Sequence, residues 1–123
     1  VGGDVGTATK GIALGVLRGT KEAGTATFET LSEVAESVIK TTAELTGDLG
    51  AAAKGLVEGA VEGAKELGLD VTKAASAAAN GAFKAAGAIG SEAGTQVRRA
   101  LTGTIAGVKI VLKEPLKKTA SKK

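Results

Sequence analysis

The residues that most often perform chemistry in proteins are scarce in this sequence. It contains no histidine, cysteine, tyrosine or tryptophan, so carboxylates, lysines and arginines are its main ionisable groups. Zinc, copper, haem and iron–sulfur centres lack their usual ligands, and the Ser-His-Asp and Cys-His mechanisms lack their bases. We therefore predict a protein that is not an enzyme and that binds no metal, cofactor or small-molecule substrate.

A group of glutamates remains as a candidate for acid–base catalysis or for binding a divalent cation. These glutamates recur at helical spacing among lysines, as side chains do along the solvated side of a helix. We therefore assign them to an exposed helix face and not to a catalytic site. They are Glu29, Glu33, Glu36, Glu44, Glu58, Glu62 and Glu66.

Glycines four residues apart form the clearest pattern in the sequence. Residues i and i+4 share one face of a helix, and a glycine ridge on that face lets a second backbone approach closely, as in pairs of membrane helices. The alternative is that glycine is simply abundant and the helices weak. We predict close helix packing through Gly11, Gly15, Gly19, Gly55, Gly59, Gly63, Gly103 and Gly107.

The basic residues are concentrated at the C-terminal end. Residues 98–123 hold eight basic side chains and one acidic side chain, whereas residues 1–50 hold four basic and seven acidic ones. Such an end attracts phosphates or anionic lipid head groups, although it can also act only as a solubilising tail. We predict an anionic partner, membrane lipid first and nucleic acid second, for Arg98, Arg99, Lys109, Lys113, Lys117, Lys118, Lys122 and Lys123.

The elements that carry these residues are predicted to be helices, because apolar residues recur at steps of three and four. The predicted helical segments are 20–46, 48–67, 70–90 and 91–113. A glycine-rich lead with a short helix is expected over 1–19, an amphipathic helical region over 20–113 and a basic tail over 114–123. The fold class is therefore all-α, with several amphipathic Gly/Ala-rich helices in an elongated or folded-back bundle.

An apolar face can be followed from Val57 to Val108 with a period of about 11 residues, which favours straight or slightly right-handed helix packing. Gly68 and Gly90 permit either one long helix or a folded-back bundle. In composition and period, residues 50–100 resemble lipid-surface helices such as those of the synucleins, and also desiccation-protection helices. That resemblance implies a helix lying on a lipid surface.

A core of alanine and glycine buries little apolar area per residue, so we expect a partner to order the chain. The leading hypothesis is a non-catalytic structural protein whose helices pack on copies of itself or on a lipid surface, while the basic end contacts an anionic partner. It would act on a membrane or within a macromolecular assembly. The alternatives are a virion or nucleic-acid-packaging subunit and a helical pore-forming or toxin-like protein.

Overall fold

A computed structural model describes residues 3–23 and 26–112 of the chain. The elements, in chain order, are α1 (Gly3–Ala23), α2 (Thr27–Glu44), α3 (Leu49–Leu67), α4 (Val71–Ile89), α5 (Ser91–Leu101), β1 (Gly103–Ile105) and β2 (Val108–Ile110). The helices pack against one another, and β1 pairs with β2 as a small antiparallel hairpin. The predicted all-α class is confirmed, in its folded-back form.

Local signals divide the long apolar pattern into separate helices. The side chains of Asp48 and Asp70 accept hydrogen bonds from the backbone N–H groups of Ala51 and Lys73, both at 3.0 Å. Each aspartate thereby caps the start of a helix, α3 or α4. Gly68 ends α3 with φ of 73°, a left-handed conformation that suits glycine. The chain therefore turns back at this point, and one long helix is excluded.

Two of the predicted helix boundaries are wrong. α1 is a single helix of 21 residues and not a flexible lead with a short helix over 1–19, because its contact with α3 outweighs the weak helix propensity of glycine. The helix predicted over 91–113 ends at Leu101. Beyond it, Ala106 and Gly107 have φ of 52° and 86°, and two successive positive φ values form the type I′ turn of a two-residue hairpin.

The helices stack in parallel pairs. The Thr9 hydroxyl of α1 donates a hydrogen bond to the carbonyl of Ala52 near the start of α3, and Arg18 reaches Glu66 near the end of α3. α1 and α3 therefore run in the same direction, and α2 runs beside α4 in the same way. α3 also packs on α4, and α5 contacts both. The fold is a stack of two helical hairpins, α1–α2 and α3–α4, followed by α5 and the β-hairpin.

The first helices of the two helical hairpins share an internal sequence repeat with a spacing of 44 residues. Nine of the 19 positions in 6–24 are identical to their equivalents in 50–68. The identical pairs are Gly6/Gly50, Ala8/Ala52, Lys10/Lys54, Gly11/Gly55, Gly15/Gly59, Gly19/Gly63, Lys21/Lys65, Glu22/Glu66 and Gly24/Gly68. α1 and α3 are therefore equivalent helices in successive copies.

Alanine supplies much of the core, with a few larger side chains between the helices. The largest fully buried side chains include Leu17, Leu31, Ile39, Leu56 and Leu101. Because alanine and glycine project little from the helix, neighbouring backbones approach closely and gain contacts along their whole length. The alanines and glycines were expected to form a weak core, but they suit a fold in which neighbouring helices lie close together.

Candidate assembly surface

The contact between α1 and α3 depends on a row of glycines, here called the α3 stripe. The α3 stripe consists of Gly55, Gly59 and Gly63, which are all buried. A Cβ atom at Gly59 would collide with the backbone carbonyl of Lys10, and a Cβ at Gly63 would lie 2.7 Å from a methyl group of Leu17. The α3 stripe therefore makes room for the backbone of α1.

Ion pairs flank the contact between α1 and α3. The Lys10 ammonium lies 2.8 Å from Glu62, and the Arg18 guanidinium donates two hydrogen bonds of 2.9 Å to Glu66. The hydrogen bonds from Arg18 lower the pKa of the Glu66 carboxyl below its ordinary value. Since both pairs are exposed, they fix the alignment of the two helices more than they stabilise the fold.

A second row of glycines, the α1 stripe, faces away from the rest of the described structure. The α1 stripe consists of Gly11, Gly15 and Gly19, and a Cβ atom at any of them would meet nothing within 4 Å. Each of these glycines is the repeat equivalent of one in the α3 stripe. Beside them, Ile12 is 41% exposed, whereas its equivalent Leu56 is fully buried. The outward face of α1 therefore resembles the face of α3 that packs against a helix.

The outward face of α2 differs in chemistry from the α1 stripe. Ser37 is exposed where its repeat equivalent Gly81 is buried, and Thr41 is exposed where Ala85 is buried. A polar outer face is what keeps the terminal unit of a repeat array soluble. Of the two helices at this end of the stack, α1 therefore carries the open small-residue surface.

Gly103 and Gly107 do not pack helices, contrary to the prediction from their spacing. They lie in the β-hairpin with φ of 98° and 86°, where a side chain would be strained. The chain leaves the helical conformation after Leu101, and the hairpin instead buries Ile105 and Ile110 against the helices. These two glycines provide turn geometry and not a contact surface.

The predicted anion-binding residues that the structure describes lie on α5 and β2. Arg98, Arg99 and Lys109 are all exposed, and the Arg98 guanidinium lies 5.3 Å from the centre of the Phe83 ring, in a cation–π contact that ties α5 to α4. The remaining members of the set lie outside the described residues: Lys113, Lys117, Lys118, Lys122 and Lys123.

Three of the predicted solvent-facing glutamates form ion pairs across helices. Glu36 lies 3.7 Å from Lys84, in addition to the pairs that Glu62 and Glu66 form with α1. In the part of the chain that the structure describes, no group of three or more acidic residues is placed to hold a metal ion. The described helices also include none that is long and apolar enough to cross a membrane.

Comparison with known protein families, curated proteins and solved structures finds no match to this chain. Its surfaces must therefore be interpreted from their own geometry. The glycine spacing identifies both stripes but does not show that one is filled and the other open. The 44-residue repeat is the sequence signal that distinguishes them. It makes the two stripes equivalent, and in the described structure no helix precedes α1 that could fill the α1 stripe.

Proposed function

We propose that this chain is a non-catalytic structural protein that docks a helix of another molecule on the α1 stripe. The supporting observation is that the equivalent α3 stripe holds a helix within the same chain. Each glycine inside a helix costs about 0.5–1 kcal/mol relative to alanine. Three such glycines on α1 have no neighbour within the described structure, so docking of a helix gives them a role that the isolated fold does not.

The test uses a peptide of residues 3–23, since this is the helix that the α3 stripe holds. Binding of the labelled peptide to the full chain is measured by fluorescence anisotropy. We expect Gly15→Leu in the chain to weaken binding at least tenfold, because the added side chain blocks the stripe. Gly87→Leu is the matched control, as its Cβ would also meet nothing within 4 Å but projects from α4. Equal binding by both variants would contradict the proposal.

A second candidate function is attachment to an anionic surface through the basic end, favoured by the exposure of Arg98 and Arg99 on α5 and of Lys109 on β2. In this function, membrane lipid is the first choice of partner and nucleic acid the second. Each phosphate contact would add to the salt dependence of binding, and each basic residue near an anionic lipid surface would contribute about 1 kcal/mol.

Co-sedimentation with phosphatidylserine vesicles and with duplex DNA, over a range of salt concentrations, tests this second function. We expect Arg99→Gln with Lys109→Gln, and separately deletion of 116–123, to weaken binding at low salt. Lys40→Gln with Lys73→Gln gives the same charge change on exposed sites elsewhere and should bind normally. Binding to DNA but not to vesicles would favour a packaging subunit, and leakage of dye from vesicles would favour a pore-forming protein. If the deletion leaves binding unchanged, the tail serves only to keep the protein soluble.

A further inference from the structure

We infer that two copies of this chain associate by exchanging their first helical hairpins, so that α1–α2 of one copy stacks on α3–α4 of the other. The occupant of the α3 face is visible in the structure, because α1 already lies on it. Exchange rebuilds the same contacts between two chains, and the chain opens at the link between α2 and α3. The inference goes beyond the docking function proposed above and does not depend on the α1 stripe.

The two helical hairpins meet through contacts that a second copy supplies unchanged. The Thr9 hydroxyl donates a hydrogen bond of 2.9 Å to the Ala52 carbonyl, and the Lys21 ammonium donates one of 2.7 Å to the Leu67 carbonyl. Three ion pairs also join the hairpins, namely Lys10–Glu62, Arg18–Glu66 and Lys84–Glu36. None of these contacts requires both hairpins to belong to one chain, and residues 45–48 are the covalent link between them.

The link between the hairpins contains a residue in an unfavourable backbone conformation. Thr46 has φ of 53°, in the left-handed region that β-branched residues rarely adopt. Its N–H bonds to the Ala43 carbonyl at 3.0 Å, and the N–H of Gly47 bonds to the Thr42 carbonyl at 2.8 Å. Thr46 therefore occupies the position after a helix where glycine is usual. Folding of α1–α2 onto its own second hairpin thus strains Thr46.

The turn within the second hairpin has the same type of hydrogen bond without the strain. The N–H of Leu69 bonds to the Ala64 carbonyl at 2.8 Å, and the residue that corresponds to Thr46 in this turn is Gly68, with φ of 73°. Glycine adopts this conformation readily. The strained residue therefore lies between the two hairpins and the relaxed one lies within a hairpin. Opening is favoured at the link between α2 and α3, while α3 and α4 stay together.

The link is also exposed, so little packing is lost where the chain opens. Leu45 is 73% exposed, and Thr46 and Asp48 are exposed as well. An extended link relieves the strain on Thr46 in both copies, while the contacts between the hairpins form again across the two chains. Exchange of an identical element between copies is a route to a dimer that requires no new surface.

Trapping of a mixed disulfide tests the exchange, because the natural chain contains no cysteine. A Cβ atom at Gly63 would lie 3.4 Å from the Cβ of Leu17, close to the separation in a disulfide. Chains with Leu17→Cys and chains with Gly63→Cys are unfolded, mixed, refolded at high concentration and oxidised. We expect a linked dimer with one chain of each kind, in lower yield when both also carry Thr46→Gly. Leu17→Cys mixed with Gly87→Cys, which is open on α4, should yield far less.

Sedimentation velocity of chains refolded over a range of concentrations provides the second measurement. We expect the natural chain to form a dimer, and Thr46→Gly to raise the dimer dissociation constant about tenfold or more, because it removes the strain from two links. Thr46→Pro should lower that constant, since proline fixes φ at about −65° and does not fit the closed link. Ala106→Gly is the matched control: it relieves a φ of 52° in the β-hairpin, away from the link, and should leave dimerisation unchanged. Circular dichroism verifies that each variant is folded.

Three results would overturn the exchange. They are a natural chain that stays monomeric at every concentration, a mixed disulfide no more abundant than with Gly87→Cys, and equal effects of Thr46→Gly and Ala106→Gly on the dimer. Gly15→Leu separates this inference from the docking function, because it blocks the α1 stripe and should leave exchange unchanged. A dimer that weakens in Gly15→Leu but not in Thr46→Gly forms through the α1 stripe, so the exchange fails and docking stands. If exchange occurs but the peptide of residues 3–23 does not dock, only the docking function fails.

Discussion

At the scale of single residues, the same amino acid serves opposite purposes in equivalent positions. Gly59 is buried against the carbonyl of Lys10, so a side chain is excluded there by contact. Gly15, its repeat equivalent, lies on an open helix face. The fold therefore requires that position 59 has no Cβ atom. At position 15 of the isolated chain, the absence of a Cβ atom only lowers the stability of the helix.

Alanine substitutions at these two positions should therefore change stability in opposite directions. We expect Gly59→Ala to lower the free energy of unfolding by about 1–3 kcal/mol, because the backbone of α1 must shift to admit the methyl group. Gly15→Ala should raise it by about 0.5–1 kcal/mol through better helix propensity. Urea unfolding followed by far-UV circular dichroism, at a concentration where the chain is monomeric, measures both. Changes of the same sign would contradict the assignment of filled and open stripes.

At the scale of elements, capping residues and turn geometry decide where each helix ends. The aspartate caps of α3 and α4 and Gly68 at the end of α3 are short-range signals, but the sequence alone left open whether the chain breaks at Gly68 or continues as one long helix. The β-hairpin was not predicted. Gly103 and Gly107 are four residues apart, as the glycines of the helix stripes are. Only the positive φ values of Ala106 and Gly107 show that this segment forms a turn. Spacing alone does not distinguish the two uses.

The alignment of α1 with α3 should respond to pH through Glu66. Its lowered pKa, caused mainly by hydrogen bonds from Arg18, means that the contribution of this carboxylate is present above its unfolded-state pKa and is lost as the pH falls through the folded-state pKa. We expect the urea midpoint of the natural chain to fall with acidification more than that of Glu66→Gln, at low ionic strength.

The control for this pH effect is Glu44→Gln, which removes an exposed carboxylate from α2. It should retain the pH dependence of the natural chain. The size of the Glu66 effect is expected to be modest, since the Arg18–Glu66 pair is solvent-exposed. An identical pH profile for the natural chain and Glu66→Gln would show that this pair does not stabilise the contact between the helices.

At the scale of the whole molecule, the all-α class follows from the three-and-four spacing of apolar residues, and the structure confirms it. The path of the chain does not follow from that spacing. A glycine-lined face fits any helix that approaches closely, so local periodicity cannot specify which helix fills the α3 stripe. The helix that fills the α3 stripe is determined by how equivalent copies stack. The 44-residue repeat indicates this stacking, whereas the local apolar pattern does not.

The repeat also bears on how a chain of this kind can vary in length. α3 receives α1 on one face and contacts α5 as well, so a middle copy joins its neighbours on both sides. An inserted 44-residue copy between α2 and α3 would meet matching faces on each side, whereas an insertion of ten residues within a helix would rotate every following contact out of place. We therefore expect changes in size to be tolerated in whole copies, with unchanged terminal surfaces and a greater distance between them.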